Sequence, residues 1–156
     1  MKLITRTLAI ATIALLVSCK GNNNQSQDDF SKPVKTEAAM PADPKESKGV
    51  GPIKELKLPG TIDETLAAAG KEAFDLKCTA CHKIGRKFVG PDLTGVMERR
   101  SPEWVMNMIL NPEEMVIKDP VAKQLLLDYN GSPMANQHLT EEETRSIVEY
   151  FRTLKN

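Results

Sequence analysis

Apolar side chains in the second half of the chain recur at the spacing of a helix. The first stripe consists of Leu66, Ala69, Gly70, Ala73 and Phe74. Positions spaced in this way share one face of an α-helix. Thr61 and Glu64 form a capping box in front of the stripe, so we predict a helix from there to about Lys77.

Three further helix starts follow, each marked by a polar N-cap residue. Two combine the cap with a proline at the first helical position, and the last is a second capping box. The pairs are Ser101 and Pro102, Asp119 and Pro120, and Thr140 and Glu143. The predicted helices end before Asn111 and Pro112, at about Tyr129, and at about Leu154. Because nothing alternates as a strand would, we predict an all-α domain over residues 61–156, with a loop between His82 and Arg100.

Residues 19–60 differ in composition from this domain. A polar stretch rich in Asn, Gln and Ser comes first, and five prolines interrupt the part that follows. Such a segment has too little apolar surface to offset the entropy lost on ordering it. We therefore predict a disordered linker over residues 19–60.

The amino-terminal residues have the features of an export signal. Lys2 and Arg6 form a positive region, and residues 8–17 form an apolar run that is too short for a comfortable transmembrane helix. We predict a signal peptide over residues 1–18, and hence an exported protein that faces the periplasm.

Residues 16–19 resemble the lipobox of bacterial lipoproteins. The resemblance implies that cleavage falls before Cys19, that the Cys19 thiol takes a diacylglycerol, and that the new amino terminus is acylated. Several acyl chains anchor a protein firmly to a membrane, whereas a single chain is marginal. The alternative is an ordinary secretory signal with an unrelated cysteine. Lys20 does not decide between the inner and the outer membrane.

Charge and cysteine content narrow the range of functions. The chain has 21 basic and 21 acidic residues, without the basic excess that nucleic acid requires, so we predict no nucleic-acid partner. Aromatic residues make up only 4% of the chain, which is thin for an unaided core. The three cysteines are Cys19, Cys78 and Cys81. We therefore predict no structural disulfide.

The strongest chemical motif is Cys-Thr-Ala-Cys-His at residues 78–82. This pattern is typical of a c-type haem attachment site. The Cys78 and Cys81 thiols bond the two vinyl groups of one porphyrin, and the imidazole of His82 becomes an axial ligand of the iron. A thiol–disulfide site would prefer a βαβ context, and a zinc site would need a fourth ligand. We therefore predict one covalently bound haem c.

Residues 66–156 resemble the class I cytochromes c, which are small and carry a single haem. Gly70 and Phe74 precede Cys78 by eight and four residues, and Ile147 and Tyr150 lie three apart on the last predicted helix. The family has its helix-crossing residues at these places. The resemblance implies about four helices around one covalently attached haem, and an electron carrier rather than an enzyme.

The resemblance also implies what surrounds the iron. Residues 90–95 are similar to a loop of the family in which a proline carbonyl accepts a hydrogen bond from the axial histidine, here Pro91 and His82. Met134 lies in a proline-containing loop ahead of the last helix, where the family places its second axial ligand. Met115 and His138 are rivals for that position.

Three other features have two interpretations each. We interpret Trp104 as a core residue, with hydrogen bonding to a haem propionate as the alternative. Arg99 and Arg100 are interpreted as a solvated turn, with neutralisation of the propionates as the alternative. The basic residues that follow the first helix either steer acidic partners to the haem edge or form an ordinary wet surface. They are Lys77, Lys83, Arg86 and Lys87.

We interpret the chain as a membrane-tethered, single-haem electron carrier of a respiratory chain. The expected donor is a quinol-oxidising complex. The expected acceptor is a terminal oxidase or an anaerobic reductase, with nitrous oxide reductase as one candidate. The alternatives are an open-iron haem enzyme, a gas or redox sensor, and a haem subunit of a terminal oxidase or reductase complex.

Overall fold

A computed structural model describes residues 39–155 of the chain. The predicted signal peptide, the predicted lipidation site Cys19 and the first part of the predicted linker lie outside the described residues. Within residues 39–155 the secondary structure is helical, without a strand. The six helices of this range are α1 (Glu64–Lys77), α2 (Val96–Arg99), α3 (Pro102–Leu110), α4 (Pro112–Lys118), α5 (Pro120–Asp128) and α6 (Glu141–Thr153). The prediction of an all-α fold is confirmed. None of these helices is long and apolar enough to cross a lipid bilayer.

Local side-chain caps start the predicted helices. The Ser101 hydroxyl accepts from Trp104 N at 3.1 Å, and the Asp119 carboxylate accepts from Ala122 N at 2.8 Å. The last helix has both bonds of its capping box, between Thr140 and Glu143. Each cap provides a hydrogen-bond partner for amide groups that have none inside the helix. Because the partners are close in sequence, the start of the helix can be predicted without knowledge of the tertiary structure.

The start of α1 and the region after α3 differ from the prediction. Asp63, not Thr61, caps α1, because its carboxylate accepts from Leu66 N at 3.0 Å. Asn111 and Pro112 end α3 as predicted, but Pro112 is also the first residue of α4. Proline is well suited to this position because its missing N–H would have no partner there. The predicted loop between His82 and Arg100 contains the short helix α2.

The core forms where α1 crosses α6. Gly70 makes the crossing possible, since a β-carbon at this position would lie 1.9 Å from the carbonyl oxygen of Ser146. Next to it, the ring of Phe74 lies 5.6 Å from that of Tyr150 and 5.7 Å from that of Phe151. Such edge and tilted contacts add to the burial of the rings. The predicted crossing residues therefore meet in the structure.

Residues 47–58, which we call the strap, pack against α3 without forming a helix or a strand. Four apolar side chains of the strap contact the core: Val50, Ile53, Leu56 and Leu58. The buried Asn107 of α3 accepts from Ile53 N at 3.0 Å and donates to Lys48 O and Ile53 O at 2.9 and 2.8 Å. Glu103 accepts from Leu56 N at 3.1 Å.

The strap differs from the disordered linker predicted up to residue 60. Its four apolar residues are scattered among polar residues, two glycines and one proline, a composition that by itself gives no sign of order. The groups that hold it belong to α3 and α4. Buried side chains such as Asn107 need hydrogen-bond partners, and the strap backbone supplies them. The ordered part of the domain therefore begins before Thr61.

Candidate functional site

The residues of the haem motif continue from the end of α1. Cys78 is the C-cap, and its amide donates to Phe74 O at 2.9 Å. The amides of Cys81 and His82 both donate to Cys78 O, at 3.1 and 2.9 Å. This compact turn brings the two thiols and the imidazole to one end of α1.

The motif opens onto a cavity of about 270 Å³. Cys78, Cys81, His82, Pro91 and Met134 all line it, so the predicted haem-site residues meet at one place. Most other lining side chains are apolar and come from α3, α4, α5 and the loops between helices, including Leu93, Val105, Ile109, Val116, Leu125 and Leu126. A flat apolar group fits walls of this chemistry.

The orientation of His82 is set by the segment that follows the motif. Its Nδ1 lies 3.1 Å from the carbonyl oxygen of Pro91, as predicted for this pair. A carbonyl can only accept, so Nδ1 carries the proton and Nε2 has the lone pair that a metal requires. Gly90 leaves room for the ring, because a β-carbon there would lie 2.5 Å from Cε1 of His82. The sequence gives no separate signal for this role of Gly90, because the role depends on how closely the His82 ring approaches.

Burial favours the uncharged forms of two motif side chains, His82 and Cys78. It lowers the pKa of His82, although the hydrogen bond to Pro91 works in the opposite direction. It also raises the pKa of the Cys78 thiol to about 11, with a smaller contribution from Cys81. A reactive cysteine of a thiol–disulfide enzyme requires a lowered pKa. The environment of Cys78 is therefore the opposite of the one expected for the thiol–disulfide alternative.

The three candidates for the second axial ligand occupy different environments. Met134 is half-buried and lines the cavity. Met115 is fully buried behind the strap, does not line the cavity, and accepts from Val50 N through its sulfur at 2.9 Å. His138 is exposed and outside the cavity lining. Met108 of α3 also lines the cavity. Ligation by His82 and Met134 stays a prediction.

Trp104 and the two adjacent arginines have separate roles. The Trp104 ring is buried, and its indole N–H donates to Asp119 at 3.0 Å, in agreement with the interpretation as a core residue. Arg99 is exposed and donates to the carbonyl oxygens of Thr94 and Asp92. Arg100 differs from the predicted solvated turn, because its Nε is buried at the cavity and has no hydrogen-bond partner among the described residues.

These features test the fit of a haem to this site. The apolar walls suit the porphyrin ring, the paired thiols suit covalent attachment, and the imidazole suits axial ligation. The unpartnered Nε of Arg100 is a hydrogen-bond donor at the cavity. Buried donors of this kind normally have a partner, and a porphyrin bears carboxylates. The residues present therefore fit a covalently bound haem.

The loop at residues 83–89, which we call the basic loop, presents apolar and basic side chains together. Ile84, Phe88 and Val89 are among the exposed large hydrophobic residues, and Val89 also lines the cavity. The cationic groups of Lys83 and Arg86 lie 5.3 and 5.6 Å from the centre of the Phe88 ring. Such contacts hold cations above an aromatic face. The basic loop thus places cations and exposed apolar groups next to the cavity.

Known proteins with similar sequences and structures agree with this geometry. The family model described as cytochrome c matches residues 67–155. Cytochrome c-551 of Ectopseudomonas mendocina is 30% identical over 89 residues, which cover 56% of this chain and all of the relative. A cytochrome c structure from Rhodothermus marinus is 43% identical, with a TM-score of 0.65, and the match covers 67% of this chain and 89% of that one.

A third match is the cytochrome c domain of a Pseudomonas putida protein, at 31% identity and a TM-score of 0.50, covering 54% of this chain and 85% of that domain. Cys78, Cys81 and His82 fit the haem-attachment motif of these proteins, so the cofactor is a covalently bound haem c. The protein is an electron carrier rather than an enzyme, and it acts with redox partners. The family model spans more than half of the chain, and the chain therefore belongs to the cytochrome c family.

Proposed function

We propose that this protein is a membrane-tethered shuttle that transfers single electrons within a respiratory chain. The observation that carries the shuttle role is the meeting of His82 and Met134 at one apolar cavity. If His82 and Met134 both hold the iron, no coordination position would remain for a substrate or a gas. The haem, when bound, supplies a one-electron redox couple.

The protein's own residues orient the haem and exclude water from it. The Pro91 carbonyl fixes the ring of His82, and a hydrogen bond of this kind raises the basicity of a ligand. The thioether of Met134 and the apolar walls both favour the reduced state and raise the potential. Because the walls belong to packed helices, little has to move when an electron enters or leaves.

A carbon monoxide difference spectrum of the haem-loaded protein tests the closed site. We expect no spectral shift with carbon monoxide, because His82 and Met134 would both hold the iron. Ready binding of carbon monoxide would instead mean an open iron, and the enzyme or sensor alternative would replace the shuttle.

The tether depends on Cys19. We predict that the native protein partitions into detergent and that Cys19→Ala moves nearly all of it to the soluble fraction, because the acyl chains supply the membrane affinity. The measurement is phase partitioning followed by immunoblotting. Lys20→Ala serves as the control, since it leaves the thiol in place. Unchanged partitioning of Cys19→Ala would refute the anchor, and density-gradient separation of membranes would tell the inner from the outer membrane.

The proposed location implies the class of partner. A quinol-oxidising complex is the expected donor, and a terminal oxidase or an anaerobic reductase, such as nitrous oxide reductase, is the expected acceptor. Isolated membranes with quinol should reduce the haem, and a specific inhibitor of the quinol-oxidising complex should abolish that reduction. Reduction at the same rate with the inhibitor would refute this donor.

The basic loop is expected to attract negatively charged partners. Changing Lys83, Arg86 and Lys87 to glutamate should lower the rate of oxidation by ferricyanide, an anion, about tenfold at low salt. The loss should shrink as salt is added, because screening removes the attraction. Stopped-flow absorbance measures both rates.

A matched control changes the same net charge elsewhere. Lys57, Lys71 and Lys118 are exposed and do not line the cavity. The triple glutamate variant of these residues should slow oxidation by ferricyanide much less. If the two triple variants slowed oxidation equally, the total charge of the protein, and not the basic loop, would govern how fast ferricyanide reaches the haem.

A further inference from the structure

The strap approaches α3 and α4 so closely that two of its positions leave no room for a side chain. A β-carbon at Gly51 would lie 2.3 Å from Oδ1 of Asn107, and one at Gly49 would lie 2.7 Å from the sulfur of Met115. Asn107 cannot turn aside freely, because it is buried and makes three hydrogen bonds with the strap backbone. The strap therefore has one defined position on these two helices.

The first residue of the strap joins the starts of two helices. The Ser47 hydroxyl donates to Oδ2 of Asp119 at 2.6 Å, and Ser47 O accepts from the Ser101 hydroxyl at 2.6 Å. Ser101 is the N-cap of α3, and Asp119 is the N-cap of α5. Asp119 is buried, so these bonds are shielded from water. Both helices contribute side chains to the haem cavity, so the strap is tied to the cavity wall.

Helix α3 lies between the strap and the haem cavity. Glu103 and Asn107 accept from strap amides, and residues four positions apart share one face of a helix. Val105, Met108 and Ile109 line the cavity from the opposite face. A change at the face that binds the strap therefore moves the face that meets the porphyrin.

The same helix also holds the loop that carries Met134. Nδ2 of Asn136 donates to the carbonyl oxygen of Leu110, the last residue of α3, at 3.5 Å. Oδ1 of Asn136 accepts from His138 N at 2.8 Å within the loop. Asn136 is partly buried and follows Met134 by two positions. Helix α3 thus connects the strap at one side to the predicted ligand loop at its end.

We propose that the strap is a clamp that keeps the Met134 loop closed over the haem, and that it acts through Asn107 as a positioning residue on α3. The inference rests on the proposed ligation of the iron by His82 and Met134, and it is independent of the membrane tether. When the strap leaves α3, Asn107 loses its partners and the buried Met115 meets water. The cavity wall then loses its outer support, and the loop opens without unfolding of the whole domain.

The test compares carbon monoxide binding by the haem-loaded full-length protein and two glycine variants. Gly51→Ala pushes against Asn107, whereas a β-carbon at Gly60 would meet no atom within 4 Å. We expect Gly51→Ala to bind carbon monoxide at least about tenfold faster than the wild type, because overpacking raises the free energy of the closed state. Its long-wavelength iron–thioether absorption should also weaken. Gly60→Ala should leave both properties unchanged.

Two further measurements separate local opening from a general loss of stability. The rate of carbon monoxide binding by Gly51→Ala should depend on urea concentration much less than global unfolding does, because release of the strap exposes little surface. The amides of Ile53 and Leu56 donate to Asn107 and Glu103. Their hydrogen exchange should accelerate by about the same factor as carbon monoxide binding, while central amides of α6 change much less.

The outcomes distinguish the clamp from the proposed function. Ready carbon monoxide binding by the wild type would refute the closed iron. If the wild type excludes carbon monoxide and Gly51→Ala binds it no faster, or only in parallel with global unfolding, the clamp is refuted and the closed iron stands. Ser47→Ala keeps the question decidable if Gly51→Ala does not fold. It removes the hydroxyl that donates to Asp119 and should accelerate binding about fivefold.

The connection through α3 is tested by a double-mutant cycle. Asn136→Ala removes the hydrogen bond to Leu110 O and should by itself accelerate carbon monoxide binding. We expect Gly51→Ala to accelerate binding much less in the Asn136→Ala background than in the wild type, because the strap no longer reaches the loop. An equal acceleration in both backgrounds would overturn the role of α3 in the clamp.

Discussion

Replacing Met134 by alanine is expected to open the iron of the haem-loaded protein. The variant should lose the weak long-wavelength absorption of an iron–thioether bond and should bind carbon monoxide readily. Its midpoint potential should fall by an amount on the order of 0.1 V, because axial ligands set haem potentials over a wide range. The physical reason is the loss of a thioether that favours ferrous iron. Absorption spectroscopy and redox titration measure these effects.

Met108 provides the matched control for this prediction. It is the other methionine discussed above that lines the cavity, and it lies on α3. Met108→Leu preserves the apolar volume and should leave the absorption band and the resistance to carbon monoxide intact. If Met134→Ala kept the band and Met108→Leu lost it, the axial ligand would be Met108.

Replacing Gly70 by alanine is expected to destabilise the haem-loaded protein by about 3 kcal/mol or more, at the upper end of overpacking effects. A β-carbon at this position would lie 1.9 Å from Ser146 O and 2.8 Å from Ile147 N. These are backbone atoms of α6 and cannot rotate away as a side chain would. Relief therefore requires α1 and α6 to separate, which also loosens the contacts of Phe74. Chemical denaturation followed by circular dichroism measures the loss.

The same substitution at Gly60 separates crowding from the general effect of removing a glycine. A β-carbon at Gly60 would meet no atom within 4 Å, and its backbone does not need a positive φ. Gly60→Ala should change the free energy of unfolding by less than about 1 kcal/mol. A similar loss in both variants would mean that the close crossing of α1 and α6 is not what requires Gly70.

The helix caps and the haem motif can be predicted from the sequence, because each depends on interactions between residues that are close together in the chain. Ser101 and Asp119 cap helices through amides three residues away, so the sequence alone specifies the interaction. The haem motif is equally local, since its spacing brings Cys78, Cys81 and His82 together within one turn. The sequence does not predict helix α4, because a proline that ends one helix can also begin the next, as Pro112 does.

Local sequence patterns do not predict interactions between segments that are far apart in the chain. The strap has the composition of a linker, and its order depends on Asn107 and Glu103, which lie 47 or more positions further along the chain. Met115 is a reasonable rival ligand by sequence, whereas in the structure its sulfur lies beneath the strap and accepts from Val50 N. Arg99 and Arg100 are indistinguishable as adjacent arginines in the sequence, and only packing buries the Nε of Arg100 while leaving Arg99 exposed.

The sequence by itself determined the all-α class, the helix starts and the chemistry of haem attachment, because each depends on residues within about one helical turn of one another. The tertiary structure alone decided which methionines line the cavity, where the ordered domain begins, and which arginine has a buried Nε without a hydrogen-bond partner. Those properties depend on burial and on hydrogen bonds between segments far apart in the chain. A desolvated group must find its partner wherever the fold places one.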